Sequence, residues 1–263
     1  MPRPVLPAVA MLAAVTLAAC GDAGSPSSDA QVNFSLATRP ATSASMGIAS
    51  VNTPETFTDG ANTLVIDQVQ LVLREIELKR VEATTACGES GGGGCEELEL
   101  GPILLDLPLG GTGGAARRFS VPLAAGSYDE VELQIHTPSD DDAGDGAFVQ
   151  AHPDFAGVSV KVTGTFQGQP FTYLSDLDAE EEIELSPPLV VTQAAATDLT
   201  LFVDLDRWFR DASGNLVDPE SANAGNVNEQ LVDDNIRGTL RAFEDENHDG
   251  ADDHGGDDGL SHD

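Results

Sequence analysis

Apolar residues that alternate with polar ones, in short segments separated by turn signals, constrain the fold of this chain most. Such alternation turns one side of an extended strand toward a core and the other toward solvent. Turns rich in glycine, proline and aspartate, such as GGTGG, SDDDAGDG and SPP, separate the segments. The pattern predicts an all-β protein, an antiparallel β-sandwich that spans residues 31–210. The alternating sets are Val32-Phe34-Leu36, Val69-Leu71-Leu73, Phe119-Val121-Leu123, Val131-Leu133-Ile135, Val158-Val160-Val162, Ile183-Leu185 and Leu199-Leu201-Val203-Leu205.

One long segment, LVIDQVQLVLREIELKR, changes the phase of its alternation. Its odd positions are apolar from Val69 to Leu73, and its even positions are apolar from Ile76 onward. A single extra residue in a strand produces such a change, so we predict a β-bulge near Arg74.

The pattern changes again after Leu205. In NEQLVDDNIRGTLRAFED the apolar residues Val232, Ile236, Leu240 and Phe243 are spaced four, four and three apart. This spacing places them on one face of a helix. We predict that residues 211–243 form a turn followed by one C-terminal amphipathic helix, which packs on the sandwich.

The N-terminal sequence, MPRPVLPAVAMLAAVTLAAC, has one early cation and an apolar run too short to span a bilayer. This is typical of a secretory signal, here residues 1–19. Its end, Leu17-Ala18-Ala19-Cys20, resembles the bacterial lipobox. The resemblance implies a lipid anchor on Cys20, a flexible spacer over residues 20–30 and, since Gly21 follows the cysteine, export to the outer membrane. The alternative is an ordinary signal with an incidental cysteine.

Two further cysteines bracket the segment CGESGGGGC. An exported compartment is oxidising, so we predict a disulfide between Cys87 and Cys95 that closes a small glycine-rich loop. A lone pair of cysteines makes a poor zinc site.

Charge excludes one class of partner. The chain of 263 residues carries 45 acidic and 12 basic residues, a net charge of −33. Phosphate backbones need the opposite sign, so nucleic acid is not expected as a partner. The acidic excess is also compatible with simple solubility or with a saline habitat.

Three segments resemble a bacterial exported lipoprotein family known only as a domain of unknown function. They are the long LVIDQVQLVLREIELKR strand, LLDLP, and FSVPLAAGSYDEVELQI with its L-x-A-G-x-Y-x-x-V-x-L pattern. The match covers roughly residues 30 to 205. ATRPAT stands where family members often have a T-D-A-P-like turn. The resemblance implies a sandwich on an exported lipoprotein, and it carries over no catalytic residues.

The acidic stretch DENHDGADDH, within residues 244–263, has the D-x-N-x-D-G order of a calcium loop. The predicted oxygen ligands are Asp245, Asn247, Asp249, the carbonyl of Ala251, and Asp253. Their spacing resembles EF-hand and dockerin loops. The twelfth position, where an acid should stand, is Gly256. We expect this tail to leave the folded body, and the alternative to calcium binding is a merely solvated acidic tail.

The segment SDDDAGDG and its two flanking histidines, His136 and His152, suggest a second cation site. Neither histidine has a partner at ligand spacing. We therefore predict an acidic loop in solvent and two loop histidines without metal.

These observations favour a non-enzymatic, lipid-anchored envelope protein that binds an unknown protein or glycan partner, with calcium at its C-terminus. A metal-dependent hydrolase is the alternative, and a cleft that unites His136 or His152 with acids of another loop would favour it. A purely structural envelope protein is a further alternative.

Overall fold

The computed structural model describes residues 30–40, 53–81, 95–110, 114–142 and 144–254. Two α-helices occur in these ranges, α1 (Gly146–Ala151) and α2 (Glu229–Gly238). The same ranges contain eleven strands, so the predicted all-β class is confirmed. The strands are β1 (Ala30–Ala37), β2 (Glu55–Thr58), β3 (Thr63–Arg80), β4 (Cys95–Asp106), β5 (Ala116–Leu123), β6 (Gly126–Ile135), β7 (Val160–Phe166), β8 (Gln169–Ser175), β9 (Ala179–Val191), β10 (Thr197–Val203) and β11 (Leu240–Glu244).

The strands form two sheets that share one core. Sheet 1 has the order β11-β10-β1-β5, and sheet 2 has the order β8-β7-β3-β6-β9, with β2 and β4 also paired to β3. Phe34 and Leu201 of sheet 1 join Leu73 and Leu133 of sheet 2 in one cluster of buried side chains. The described pairings are antiparallel, as predicted, except that β1 and β10 run parallel.

Strand β3 is the central element of sheet 2. Its first half pairs with β2 and β7, and its second half with β4 and β6. The register shifts between Leu73 and Glu75 in both pairings of the second half. The predicted bulge near Arg74 is therefore confirmed.

A small second core covers the outer face of sheet 2. Val72 is fully buried although its neighbours Leu71 and Leu73 already face the main core. Phe148, Val149 and Phe155, from α1 and the turn after it, pack on Val72. This layer, which the sequence pattern did not predict, buries Val72 on the outer face of the sheet.

The predicted C-terminal helix is wrong beyond Gly238. Val232 and Ile236 are buried on α2 as expected, but Leu240 and Phe243 belong to β11, which pairs with β10 at the edge of sheet 1. The sandwich therefore extends past the predicted limit of residue 210 and includes β11.

Several predictions concern residues that the structure does not describe. The signal peptide, Cys20 and Cys87 lie outside the described residues, and Cys95 opens β4. Lipidation and the disulfide stay predictions. Within the described ranges, neither helix has the length and apolar character needed to cross a bilayer.

Candidate functional site

Strand β11 delivers the first predicted calcium ligand into the protein interior. Asp245 follows the last residue of β11 and is fully buried. Its amide donates to the carbonyl of Asp198 at 3.1 Å, and its Oδ2 accepts from the Thr200 hydroxyl at 3.1 Å. The prediction of a tail that leaves the body is thus wrong for residues 245–254, which we call the C-terminal loop.

Side-chain oxygens at alternate positions fold the C-terminal loop. The carboxylate of Asp245 accepts from the amides of Asp249 and Gly250, each at 3.0 Å. Asn247 Oδ1 accepts from the Asp249 amide at 2.8 Å, and Asp249 Oδ1 accepts from the Ala251 amide at 2.8 Å. The first three predicted ligands therefore share one turn.

Asp253 closes the same loop from its far end. Its carboxylate accepts from the Glu246 amide at 2.6 Å and from Asn247 Nδ2 at 2.7 Å. Both oxygens of Asp253 are occupied in this way. Among the described residues, Asp245, Asp249 and Asp253 do not bring their oxygens into one cluster of metal-ligand size.

The C-terminal loop also packs on sheet 1. Gly250 has a positive φ of 77°, and an added Cβ would lie 3.0 Å from the Arg39 carbonyl. The Ala115 amide donates to the His248 carbonyl at 3.1 Å. Glycine is required at position six for both its backbone conformation and its close packing.

Negative charge accumulates in this region. Burial raises the pKa of Asp245; hydrogen bonds from Gly250 and Thr200 oppose that rise, and the charge of Asp249 adds to it. Burial also raises the pKa of Glu244. A bound cation would favour the ionised form of both carboxyls.

A second group of possible ligands lies where β6 ends. His136 directly follows β6, and its amide donates to the Val72 carbonyl at 3.1 Å. Its Nε2 lies 2.7 Å from Asp145 Oδ2, and its Nδ1 lies 3.6 Å from Asp178 Oδ2. Asp142 also offers an oxygen within 4.8 Å of the ligand atoms of His136 and Asp145. We call these four residues the His136 cluster.

Burial distinguishes the deep members of the His136 cluster from the shallow ones. The side chains of His136 and Asp145 are 3% and 0% exposed, whereas that of Asp178 is 54% exposed. Burial pushes the pKa of Asp145 upward, but hydrogen bonds from His136 and the Ser139 amide, with the charges of His136 and Arg74, outweigh it and lower the pKa.

The prediction of a loop histidine is wrong for His136, and the prediction of an acidic loop in solvent holds for the exposed Asp140 and Asp142 but is wrong for Asp145. His136 is a buried residue in contact with carboxylates of two segments, and SDDDAGDG contributes the fully buried Asp145. The second core on Val72 explains this, because it draws α1 over the sheet and Asp145 with it. His152 stays outside the cluster, and its ring lies 4.8 Å from that of Phe148. The consecutive apolar residues Leu71, Val72 and Leu73 were the sequence signal for this layer.

No protein-family model matches the chain, and comparison with curated proteins and with solved structures gives no match. The similarity of residues 30–205 to the lipoprotein family stays a prediction. Function is therefore argued from the C-terminal loop and the His136 cluster alone.

Proposed function

We propose that the protein is a lipid-anchored module of the bacterial outer envelope whose C-terminal loop binds calcium and whose sandwich binds a protein or glycan partner without catalysis. The alternate-oxygen turn at Asp245, Asn247 and Asp249 carries the calcium part of the proposal. The lipobox-like sequence at Cys20 supports the anchor.

The loop retains oxygens for a cation. A carboxylate has about four lone-pair sites on its two oxygens, so one amide hydrogen bond leaves room for a metal. Asp249 uses Oδ1 for the Ala251 amide, and Oδ2 remains for calcium. Asp245, Asn247 and the Ala251 carbonyl would complete one side of the site, while Asp253 would exchange a hydrogen bond for the ion. With no acid at position twelve, we expect a weak site, on the order of 10⁻⁴ to 10⁻³ M.

Calcium in this loop would stabilise sheet 1, because the loop contacts several of its strands. The loop contacts β10 through Asp198 and Thr200, and it contacts the ends of β1 and β5 through Arg39 and Ala115. An ion that orders the loop therefore stabilises the edge strand β11 as well. Binding to the folded state alone raises its stability by mass action.

Calorimetric titration tests the calcium site. The chain from Gly21 to Asp263, which contains every described element, is titrated with calcium, and its melting temperature is measured with calcium and with chelator. We expect saturable heat and a raised melting temperature, both lost in Asp249→Ala. Asp252→Ala is the matched control, because Asp252 lies in the same loop but at no ligand position. No heat, or equal loss in both variants, would contradict the site.

Cys20→Ser tests the anchor separately. In a bacterial host fed labelled palmitate, we expect wild-type chain to carry label and to sediment with the outer membrane. The Cys20→Ser chain should carry none and leave the membrane fraction. A labelled Cys20→Ser chain would overturn the lipid assignment and leave the calcium site untouched.

The metal-dependent hydrolase remains the second candidate function, because the His136 cluster unites a histidine with acids from two loops. The near-complete burial of His136 and Asp145 gives a substrate little access, which places it second. Metal-stimulated cleavage of a p-nitrophenyl ester or phosphate that is lost in Asp142→Asn would favour the hydrolase over the binding module. Equal cleavage by wild type and Asp142→Asn would remove it.

A further inference from the structure

The His136 cluster has more acceptors than protons to share. A neutral imidazole has one N–H, so it can donate to only one of the carboxylates on its two sides. Nε2 faces Asp145 at 2.7 Å, and Nδ1 faces Asp178 at the longer distance of 3.6 Å. The other ring nitrogen then faces a carboxylate oxygen with no proton between them. A second proton or a metal ion is needed to remove this repulsion.

Two atoms of the cluster are buried without a hydrogen bond. His136 Nδ1 and Asp145 Oδ1 are inaccessible to solvent and have no hydrogen-bond partner in the described protein. Most buried polar atoms in native proteins have a partner, so each such atom calls for one that the described residues do not supply. Asp145 Oδ1 belongs to the carboxylate that faces Nε2, where a cation could bind, whereas Nδ1 faces Asp178 on the other side of the ring.

The local charge specifies a cation. Asp142, Asp145 and Asp178 bring three carboxylates to one imidazole, and Arg74 is the basic residue whose charge reaches Asp145. Asp142 and Asp178 are exposed, but Asp145 is fully buried, and a buried carboxylate is costly unless it is paired or coordinates a metal.

We propose that the His136 cluster binds a divalent transition-metal ion of the zinc class through His136 Nε2 and the carboxylates of Asp142 and Asp145. In this arrangement the metal replaces the proton between Nε2 and Asp145. The imidazole's single proton then lies on Nδ1 and is donated to Asp178, which orients the ring as carboxylates commonly do for metal-bound histidines.

Distances and donor types fit this metal class. The ligand atoms of the three residues already lie within 4.8 Å of one another. Bonds of about 2.0–2.1 Å in a tetrahedral site put ligand atoms about 3.3 Å apart, so small side-chain shifts complete the site. One imidazole with carboxylates suits zinc, whereas calcium takes oxygen ligands only. Three protein ligands leave the fourth position to water.

Zinc and cobalt titrations test the proposal on the Gly21–Asp263 chain after removal of metals by chelator. We expect one equivalent of zinc to bind, and cobalt to give the visible absorption of a four-coordinate ion. Asp142→Asn should remove the cobalt band and most zinc affinity, and Asp178→Asn should weaken zinc about 10- to 100-fold. Asp142 is exposed, so its variant is expected to fold. Asp140→Asn, an exposed change in the same loop, is the matched control.

The result that overturns the site is zinc binding that is absent or that survives Asp142→Asn unchanged. Zinc held by the exposed histidines of the C-terminal loop, His248 and His254, would survive in this way. The inference is independent of the calcium loop. Calcium heat should persist in Asp142→Asn and zinc binding should persist in Asp249→Ala, so the two proposals fail separately.

Discussion

The indole Nε1 of Trp208 donates a hydrogen bond to the Thr239 hydroxyl at 2.9 Å, and both residues are buried. The same hydroxyl donates to the carbonyl of Ile236, also at 2.9 Å, near the end of α2. Thr239 thus connects the only tryptophan to the point where α2 gives way to β11.

Thr239→Val should destabilise the protein. The change keeps the side-chain shape but leaves the buried Trp208 N–H without an acceptor, which costs about 1–3 kcal/mol. Chemical denaturation, followed by tryptophan fluorescence, measures the free energy of unfolding. Thr172→Val is the control, because Thr172 is exposed on β8 and the change there should stay within about 0.5 kcal/mol. Equal losses in the two variants would show that the hydrogen bond contributes nothing.

Ser35→Ala should stabilise the protein. Ser35 is 1% exposed, its hydroxyl has no hydrogen-bond partner in the described protein, and it lines a small apolar pocket between the two sheets. Removing an unsatisfied hydroxyl relieves about 1 kcal/mol of desolvation. Ser120→Ala should do the opposite, because the Ser120 hydroxyl donates to Asn33 Oδ1 at 2.6 Å. Thermal melts compare the two, and a fall in melting temperature for Ser35→Ala would contradict the prediction.

Local alternation predicted most of the sandwich because it reports burial on one face of a strand. Phe34, Val121, Leu133 and Leu201 are all buried in strands as expected. The parallel pairing of β1 with β10 could not be predicted in this way. It joins Phe34 to Leu199, far apart in the chain, and only the tertiary fold selects that partner.

The failure at the C-terminal helix has a simple geometric origin. A spacing of four residues is close to one turn of a helix, but it is also an even number and fits a strand of period two. Val232 and Ile236 follow the first rule, and Leu240 with Ala242 follows the second. The spacing alone therefore does not distinguish helix from strand.

The sequence predicted the residues of the C-terminal loop but not the His136 cluster, because only the first is formed by neighbouring residues. The C-terminal loop is local, so the order of its predicted ligands is visible in the sequence. The His136 cluster depends on α1 folding over Val72 and on Asp178 arriving from the turn before β9. No short segment contains that arrangement.

Asp204→Asn should raise stability at neutral pH. Burial raises the pKa of Asp204 above its ordinary value of 3.8, and the charge of Asp206 adds to the rise against Arg207 and Arg241. The folded state then binds more protons than the unfolded state between the two pKa values, so wild-type stability falls as pH rises through that interval. The amide resembles the neutral acid and avoids this loss.

Melting curves from pH 3.5 to pH 8, a range that brackets the ordinary aspartate pKa of 3.8, check the direction of this pH dependence. The advantage of Asp204→Asn should be largest at the neutral end and vanish at the acid end. Asp211→Asn is the control of opposite sign, because hydrogen bonds from Asn215 lower the pKa of Asp211. Its variant should be less stable than wild type at neutral pH. An advantage for Asp204→Asn that does not change with pH would contradict the titration.

Salt should stabilise sheet 2 through a row of like charges. Glu77 of β3, Glu132 of β6 and Glu182 of β9 are direct cross-strand neighbours. Like charges in these positions repel, and screening shortens their range from about 10 Å at 0.1 M salt to about 3 Å at 1 M. Glu182→Gln should therefore raise the melting temperature at low salt, with the gain shrinking as salt is added.

Glu184→Gln is the comparison for Glu182→Gln. Glu184 belongs to a neighbouring cross-strand row, Lys79–Glu130–Glu184, which contains one positive charge. Glu184 lies opposite Glu130, whose carboxylate is paired with Lys79 at 3.1 Å. That pairing cancels part of the repulsion, so the gain at low salt should be smaller than for Glu182→Gln. Equal gains would mean that net charge alone controls the salt response, since both substitutions remove one negative charge. A larger gain at Glu182 assigns the effect to the cross-strand row.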